Sequence, residues 1–387
     1  MTEPCGAALR RAVEASDRWL RGEAWPLWLT HGVDWDRGGF HEHLCPVTLT
    51  CDADFRRLRV AARQVYAFSH AAIAGLPMAH EAVELGLRAI RANFALAEGA
   101  YATRCDLRGA VIDARVDLYD QAFVLLALAS AHAAQPSGRL RGEAHALLRV
   151  LDTSLRHPGG AGFLEGLPPR LPRRQNPHMH LLEALLAAGE SFRDELFLLR
   201  ASEIVDLLLD RLFQDGARAL PEYFDDSWRP HLEAGRFIVE PGHHQEWIWL
   251  LARYTDLPDL HPGRRARCAA VAEALRGFTR LFGRGAGRCE ILDDVWSDGT
   301  IRNAGYSLWP QAEALKAEIC RTDRDVGELL RAYGVLQGFF LSEPRGLWRE
   351  RIEPGGEGGT RIVKASSLYH LTSAILYGSR SLSGLLG

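Results

Sequence analysis

Hydrophobic and polar positions recur with a helical period along most of the chain. Segments rich in alanine, leucine and arginine alternate with short polar breaks, and no proline- or serine-rich linker divides them. The pattern predicts twelve helices, at residues 7–19, 60–74, 80–97, 118–134, 142–155, 179–188, 194–213, 245–254, 264–282, 308–320, 325–340 and 366–377. We therefore predict an all-α protein with one domain over residues 1–387.

A repeat is visible in the connections between these helices. Loops that begin with glycine or proline and contain an aromatic or an acidic residue, in most cases both, recur at 39–42, 99–101, 162–165, 221–224, 287–290 and 346–350. A second series follows them near helix starts, with intervals of 56, 61, 63, 66 and 61 residues, at Arg63, Tyr119, His180, His243, Trp309 and His370. Such a period fits two helices and a loop in each repeat.

Six helical hairpins of this length can close into an (α/α)6 barrel, whose alternate helices line the interior. We predict this fold, with short β-hairpin loops at one end, and expect the second series to converge on one cavity. An open helical solenoid also repeats along the sequence, but its repeats resemble one another in their packing residues. Here the resemblance lies in the loops, and the inner positions differ chemically, which favours a closed active site.

Composition narrows the classes of function. The chain has 387 residues, 47% of them hydrophobic, and a net charge of −3, so nucleic acid is not an expected partner. Its basic residues are almost all arginine, with lysine only at Lys316 and Lys364. We therefore interpret the arginine-rich stretches at 56–59 and 173–174 as solvated faces of helices. Arg63, a few residues after the first stretch, is not included in this interpretation.

The cysteines and the apolar runs indicate where in the cell the protein is expected. Seven cysteines without a Cys-x-x-Cys pair are typical of a reducing cytosol and predict neither a disulfide framework nor a thiolate metal site. The polar start lacks the apolar core of a signal peptide, and the longest apolar run, 122–134, is too short to cross a bilayer. We expect a cytoplasmic protein that does not bind membranes and is a monomer or a homodimer.

Two helix starts carry candidate acid–base chemistry. In each, a backbone break precedes a histidine, and a glutamate follows three residues later: His180 with Glu183, and His243 with Glu246. We expect each glutamate to reach its histidine, which can take or give a proton near neutral pH. The alternative, a metal held by these histidines and their neighbours, ranks second because the groups lie on different helices of a wide barrel. We predict no metal and no cofactor.

Other polar residues near helix starts are suited to binding a sugar. Arg63 lies in an alanine- and valine-rich helix and could stabilise an oxyanion. Aromatic rings stack on sugar faces, and amides or carboxylates bind hydroxyls. The predicted substrate-binding residues are Tyr119, Asp120, Asn176, Glu183, Glu246, Trp309 and Gln311.

With these motifs assembled, the chain resembles the N-acylglucosamine 2-epimerase superfamily across nearly its full length. That group includes cellobiose 2-epimerases and aldose–ketose isomerases of mannose and sulfoquinovose. The matching stretches are 62–66, 119–123, Asn176 with 180–184, 241–247, 309–314 and 369–370. The resemblance implies an (α/α)6 barrel with Arg63, His180, His243 and His370 in the pocket.

The resemblance also implies a mechanism and the role of each residue. His370 would move the proton at C2 of an opened sugar through a cis-enediolate, and Arg63 would stabilise its charge. His243 would be the second acid–base group or the ring-opening group, and His180 would bind near O1 and O5. We expect aldose–ketose isomerisation of an unphosphorylated, mannose-type sugar; the alternative is 2-epimerisation of an aldose or N-acylhexosamine by the same residues.

Two other classes of function remain as alternatives. A glycoside hydrolase can share this barrel, but it needs two carboxylates flanking a cleft, and the inner positions here are chiefly histidine. A non-enzymatic binding protein, like the renin-binding member of the superfamily, would need no paired acid and base. The chain has no phosphate-binding loop of the Gly-x-x-x-x-Gly-Lys type, so a nucleotide effector is not expected.

Overall fold

Six buried helices form the inner wall of a closed ring. The computed structural model describes residues 5–355 and 360–382. The inner helices are α3 (Leu58–Ile73), α5 (Leu118–Ala134), α7 (Gln175–Phe192), α9 (Pro241–Thr255), α11 (Leu308–Ile319) and α13 (Ser367–Leu382). Each packs against the next, and α13 packs against α3, which closes the ring.

The outer layer covers the inner ring. Its helices are α1 (Cys5–Trp19), α2 (Trp25–His31), α4 (Ala79–Asn93), α6 (Gly138–Val150), α8 (Glu195–Leu207), α10 (Pro262–Phe282) and α12 (Val326–Gln337). Each of α4, α6, α8, α10 and α12 packs on the inner helix that precedes it, while α1 packs on α12 and α13. The predicted all-α (α/α)6 barrel is confirmed.

Burial explains why the inner helices show little amphipathic pattern. In α5, apolar residues face both the neighbouring inner helices and the outer layer, and nearly the whole helix is buried. A helix that is apolar on all sides belongs in a core. In the part of the chain that the structure describes, no helix combines the length and apolar character needed to cross a membrane.

All twelve predicted helices are present, but several bounds were wrong. The helix predicted from 245 begins at Pro241, because proline fits the first turn of a helix, where no backbone donor is needed. Likewise, α7 starts at Gln175 rather than 179. The helix predicted for 80–97 ends at Asn93, and the short helix α2 was not predicted.

Short strands join consecutive repeats at one end of the barrel. They are β1 (His43–Leu44), β2 (Phe55–Arg57), β3 (Arg104–Asp106), β4 (Val111–Asp113), β5 (Val116–Asp117), β6 (Gly166–Leu167), β7 (Arg173–Arg174), β8 (Tyr223–Phe224), β9 (Ile238–Val239), β10 (Asp294–Trp296), β11 (Ile301–Asn303), β12 (Tyr306–Ser307), β13 (Arg351–Ile352) and β14 (Val363–Lys364). The antiparallel pairs β2–β3, β5–β6, β7–β8, β9–β10, β12–β13 and β14–β1 each link one repeat to the next, the last closing the ring. An open solenoid would lack that closing pair.

The repeated loops have a common backbone form. In each repeat the loop bridges back to the end of the preceding outer helix, through Val33–Phe40, Ala95–Tyr101, Arg156–Phe163, Gln214–Ala219, Arg284–Ile291 and Phe340–Trp348. The turn in the last of these loops requires glycine. Gly346 has φ +86°, and a Cβ there would lie 2.6 Å from the carbonyl oxygen of Glu23. The loop repeat read from the sequence is thus a structural repeat.

The interpretation of the arginine-rich stretches as solvated was wrong for two residues. Arg56 and Arg173 are each only 4% exposed. Arg56 forms an ion pair with Asp34, and Arg173 with Asp226. Both belong to the strands at the barrel end, where a buried guanidinium with a carboxylate partner can stabilise the loops.

Candidate active site

The side chains that converge in the barrel come from equivalent positions of the inner helices. The sixth residue is Arg63 in α3, Phe123 in α5, His180 in α7, Glu246 in α9 and Glu313 in α11. Residues nearer the helix starts, such as His243 and Trp309, lie one turn closer to the strands. The site is therefore built at the amino-terminal ends of the inner helices, the end that carries the β-hairpins.

The fourth residue of four inner helices has a different, structural role. At each of these positions the side chain accepts a hydrogen bond from the backbone of the loop in the same repeat. The four residues are Gln121, His178, His244 and Gln311. Gln311 accepts from the backbone N–H of Ile291 at 2.8 Å, and its Nε2 donates to the carbonyls of Ile291 and Ser307. These bonds tie the amide of Gln311 to its own loop. That Gln311 also binds substrate stays a prediction.

His243 is held by a glutamate from the preceding loop. Its Nδ1 lies 3.0 Å from Oε2 of Glu222 and 3.4 Å from Oε2 of Glu240. Glu222 is oriented in turn by Nε2 of Gln175, at 3.0 Å. The predicted partner of His243, Glu246, is not this group, because one helical turn carries Glu246 deeper into the barrel, towards His180.

His370 occupies the neighbouring part of the site. Its Nδ1 lies 2.8 Å from Oε1 of Glu313. The ring of Trp309 contacts both histidines, with its centroid 4.8 Å from that of His243 and 5.9 Å from that of His370. Helices α9, α11 and α13 thus bring two imidazoles together, each with Nδ1 on a carboxylate.

His180 lies on the third side. Its Nδ1 is 3.4 Å from Oε2 of Glu183, the predicted partner, and 3.6 Å from Oε1 of Glu246. The hydroxyl of Tyr369 donates to the same oxygen of Glu183. The His180 ring also packs against Tyr119, with centroids 5.0 Å apart. Glu183 therefore joins α7 to α13 across the barrel.

Arg63 is a buried cation that has no carboxylate partner in the described part of the chain. Its side chain is 6% exposed, and its Nη2 donates to the hydroxyl of Tyr119 at 2.6 Å. Its guanidinium carbon lies 4.2 Å from the ring centroid of Phe123 and 5.0 Å from that of Tyr369. Among the described residues, no carboxylate lies within 4.0 Å of Arg63, so its charge is available to an anion.

Two further predicted residues lie beside the site. Asp120 is fully buried and forms an ion pair with Arg59 at 2.7 Å; burial raises the pKa of Asp120 to about 6. Asn176 is partly buried, and within the described structure its side-chain oxygen makes no hydrogen bond. An oxygen of that kind can accept from a sugar hydroxyl.

The pKa values of the two histidines are shifted in opposite directions. Burial opposes the charge on His243, but the carboxylates of Glu222 and Glu240 outweigh it and raise its pKa to about 10. Burial, reinforced by Arg63 and Lys316, lowers the pKa of His370 well below its ordinary value. One imidazole is therefore an acid and the other a base at neutral pH, an arrangement suited to proton transfer.

The deeper groups complete this charge pattern. Burial lowers the pKa of His180 to about 4, although Glu183 opposes it. Burial, with Glu313 nearby, raises the pKa of Glu246 well above its ordinary value, which favours the neutral form of its carboxyl group. Burial also disfavours charge on Glu183, yet hydrogen bonding from His180, the charge of Lys316 and bonding from Tyr369 lower its pKa to about 2.

Histidine and glutamate atoms come within 4.8 Å of one another in three groups: His180 with Glu183 and Glu246, Glu222 with Glu240 and His243, and Glu246 with Glu313 and His370. In each group an imidazole nitrogen is already directed at a carboxylate oxygen. Each group therefore contains a histidine–carboxylate contact within the protein. The absence of a metal requirement stays a prediction.

A separate cavity of about 830 Å³ lies at the other end of the barrel. It is lined by residues from the carboxyl-terminal halves of the inner helices, among them Tyr66, Arg253 and Arg380. Glu183 borders it as well, and Tyr66 packs on Tyr369 with ring centroids 5.0 Å apart. These side chains separate this cavity from the site that holds the two histidines.

Known proteins share both the sequence pattern and the fold. The family model for N-acylglucosamine 2-epimerase (GlcNAc 2-epimerase) matches residues 38–374. The chain is 37% identical over 375 residues to a mannose-6-phosphate isomerase of Rhizobium meliloti (strain 1021), covering 92% of this chain and 94% of that protein. It is 30% identical over 320 residues to a D-mannose isomerase of Thermobifida fusca, covering 76% and 77%.

A solved structure shows the same architecture. The cellobiose 2-epimerase from Spirochaeta thermophila DSM 6192 superposes with a TM-score of 0.85 at 20% identity, over 98% of each chain. The family model spans all six inner helices except the end of α13, and so includes each of the histidines described above. The chain belongs to the N-acylglucosamine 2-epimerase family and is an enzyme of the isomerase or epimerase type.

Proposed function

We propose that the protein interconverts an unphosphorylated aldose and the corresponding ketose, of the mannose and fructose type. The observation that carries this proposal is the pair formed by His243 and His370, which both contact Trp309 and of which one is protonated and one neutral. Arg63, a buried cation with no carboxylate partner in the described structure, supplies the third group that an enediolate needs.

The reaction follows from these three groups. Neutral His370 removes the proton from C2 of the open-chain aldose, and the electron pair moves to give a C1–C2 double bond with negative charge on O1. Arg63 stabilises that charge, and protonated His243 donates a proton to O1. The proton held by His370 then returns to C1, while the proton on O2 passes to His243 and the ketose carbonyl forms at C2. Both histidines end in their starting states.

The charges around the site favour a sugar without a phosphate group. Arg59, Arg170 and Arg174 lie at or near the starts of α3 and α7, and each forms an ion pair with a carboxylate: Asp120, Asp117 and Glu165 respectively. A phosphate would have to compete with these partners. The relative named D-mannose isomerase supports this substrate class, while the one named mannose-6-phosphate isomerase makes the phosphorylated sugar the competitor to test.

Epimerisation at C2 is the second candidate, because the same structure offers two imidazoles. If His243 rather than His370 protonated the enediolate, and did so from the opposite face of C2, the product would be the epimeric aldose. The two rings lie on different helices and both contact Trp309, which is compatible with proton transfer at two faces.

Incubation of mannose with the enzyme in heavy water separates these outcomes. We expect fructose carrying deuterium at C1, identified by NMR and mass spectrometry. Deuterated glucose as the sole product would contradict isomerisation and support epimerisation. Mannose 6-phosphate is assayed in parallel, and a higher kcat/KM for it than for mannose would contradict the unphosphorylated substrate class.

A further inference from the structure

One cation in the barrel has no part in the reaction described so far. Lys316 on α11 is fully buried, one turn after Glu313. Its Nζ lies 2.6 Å from Oε2 of Glu313, 3.6 Å from the ring centroid of Trp249 and 3.4 Å from Oγ of Ser373. Burial of an ammonium group is unfavourable unless a carboxylate compensates its charge, and Glu313 provides that carboxylate.

Glu313 connects this lysine to the reacting histidine. Its Oε2 faces Lys316, and its Oε1 lies 2.8 Å from Nδ1 of His370. The protonation of Glu313 therefore decides which nitrogen of His370 carries the proton. A carboxylate accepts from Nδ1–H and leaves the Nε2 lone pair free, whereas a protonated carboxyl group donates to Nδ1 and moves the imidazole proton to Nε2.

The surroundings of Glu313 would protonate it without a cation close by. Burial raises the pKa of Glu313, the charge of Glu183 adds to that, and Lys316 opposes it. Oxygens of Glu313 and Glu246 and a nitrogen of His370 lie within 4.8 Å of one another. The other titratable or charged groups that act on this pair are Arg63 from α3, His180 and Glu183 from α7, His243 and Glu246 from α9, and Tyr369 from α13.

We propose that Lys316 is a positioning residue that keeps Glu313 in its carboxylate form and so fixes His370 as the Nδ1–H tautomer. Nε2 of His370 is then free to take the proton from the substrate. The inference rests on the proposed function for the reaction itself. The tautomer, in contrast, is a property of the free protein and can be measured without any sugar.

Kinetics of lysine variants test the proposal by a pH profile. Lys316→Met removes the charge but keeps a long apolar side chain against Trp249. We expect kcat at neutral pH to fall by about 10²-fold or more, the scale of a lost acid–base contribution. Activity should recover as pH rises, because a higher pH ionises Glu313 and restores the tautomer. Lys316→Arg, which retains the charge, should lose less and show no such recovery.

Two controls separate this effect from a loss of packing. The double variant Lys316→Met with Glu313→Gln has no carboxyl group to ionise, so the recovery at high pH should disappear. Lys364→Met removes the other lysine of the chain, whose side chain is exposed, and should leave kcat unchanged. A pH-independent loss in Lys316→Met would overturn the proposal, since a packing defect would not respond to ionisation of Glu313.

NMR of protein labelled with 15N in histidine reads the tautomer directly, with the His370 signals identified by their loss in His370→Gln. We expect Nδ1–H in the wild type and Nε2–H in Lys316→Met at neutral pH, with reversion at higher pH. Lys316→Gln provides the same readout if the methionine variant does not fold. An unchanged tautomer in a folded variant would overturn the inference alone, whereas the expected tautomers in a protein inactive on mannose would contradict only the proposed function.

Discussion

His243 and His370 make the same local contacts and have opposite protonation. Each ring packs against Trp309, and each Nδ1 lies near a carboxylate oxygen, 3.0 Å from Glu222 in one case and 2.8 Å from Glu313 in the other. A second carboxylate, Glu240, lies beside His243, while Lys316 and Arg63 act on His370. The nearest carboxylate orients each imidazole, but the other charges nearby decide whether that imidazole is an acid or a base.

The largest expected effect comes from removing the base. In His370→Gln no imidazole is present to take the C2 proton, so kcat should fall by about 10²- to 10⁴-fold. Deuterium incorporation from heavy water should fall with it, as measured by NMR of the sugar products. His80→Gln, which changes an exposed histidine on the outer helix α4, is the control and should behave as the wild type. Exchange at the wild-type rate in His370→Gln would mean that another group is the base.

An intermediate effect is expected from making the environment of His243 less negative. Since the carboxylates raise the pKa of His243 to about 10, its protonated form is lost only as pH rises through that value. Glu222→Gln removes the nearer carboxylate, so the alkaline decline of kcat should move to lower pH, with about a tenfold loss or more at neutral pH. The measurement is a pH profile of kcat.

Glu240→Gln is the matched comparison for that variant. Its carboxylate is farther from His243, at 3.4 Å, and its side chain is 29% exposed, so the shift should have the same direction and a smaller size. An alkaline decline that stays in place in Glu222→Gln would contradict the assignment of Glu222 as the group that charges His243.

The smallest effect is expected at Glu246, although it lies among the reacting groups. Burial and the neighbouring Glu313 raise the pKa of Glu246 and so favour its protonated form, which glutamine matches in charge and shape. Glu246→Gln should therefore change kcat less than about tenfold. Glu183→Gln, by comparison, removes a carboxylate that holds His180 and Tyr369 and should cost more. A loss in Glu246→Gln as large as that in Glu183→Gln would show that Glu246 acts as an anion.

Two loop glutamates explain why the partner of His243 was missed. Glu165 and Glu222 occupy equivalent places in the third and fourth loops. Glu165 binds the backbone and side chain of Arg174, immediately before α7, whereas Glu222 turns to Gln175 and His243. The loop repeat was visible in the sequence. Whether a loop glutamate contacts a histidine, however, depends on which side chain of the next repeat lies opposite that glutamate.

Spacing along one helix was a better guide for some residues than for others. The interval of three residues placed Glu183 on His180 correctly, because both lie on one face of α7. The same interval failed for His243 and Glu246, since α9 begins earlier than predicted and Glu246 faces His180 instead. The position of Gln311 in its helix was a signal of its contact with the loop. Like Gln121, it is the fourth residue of an inner helix, and both side chains bind the backbone of their own loops.

The sequence by itself determined the repeat, the helical hairpins, the closed barrel and the polar side chains of Arg63, His180, His243 and His370 brought together inside it. These follow from periodicity, which depends on local structure and burial and is written along the chain. Only the tertiary structure decided which carboxylate contacts which imidazole, that Lys316 lies behind Glu313, and that His243 is charged while His370 is neutral. Such properties depend on burial and on charges from five different helices, and no interval along a single helix contains them.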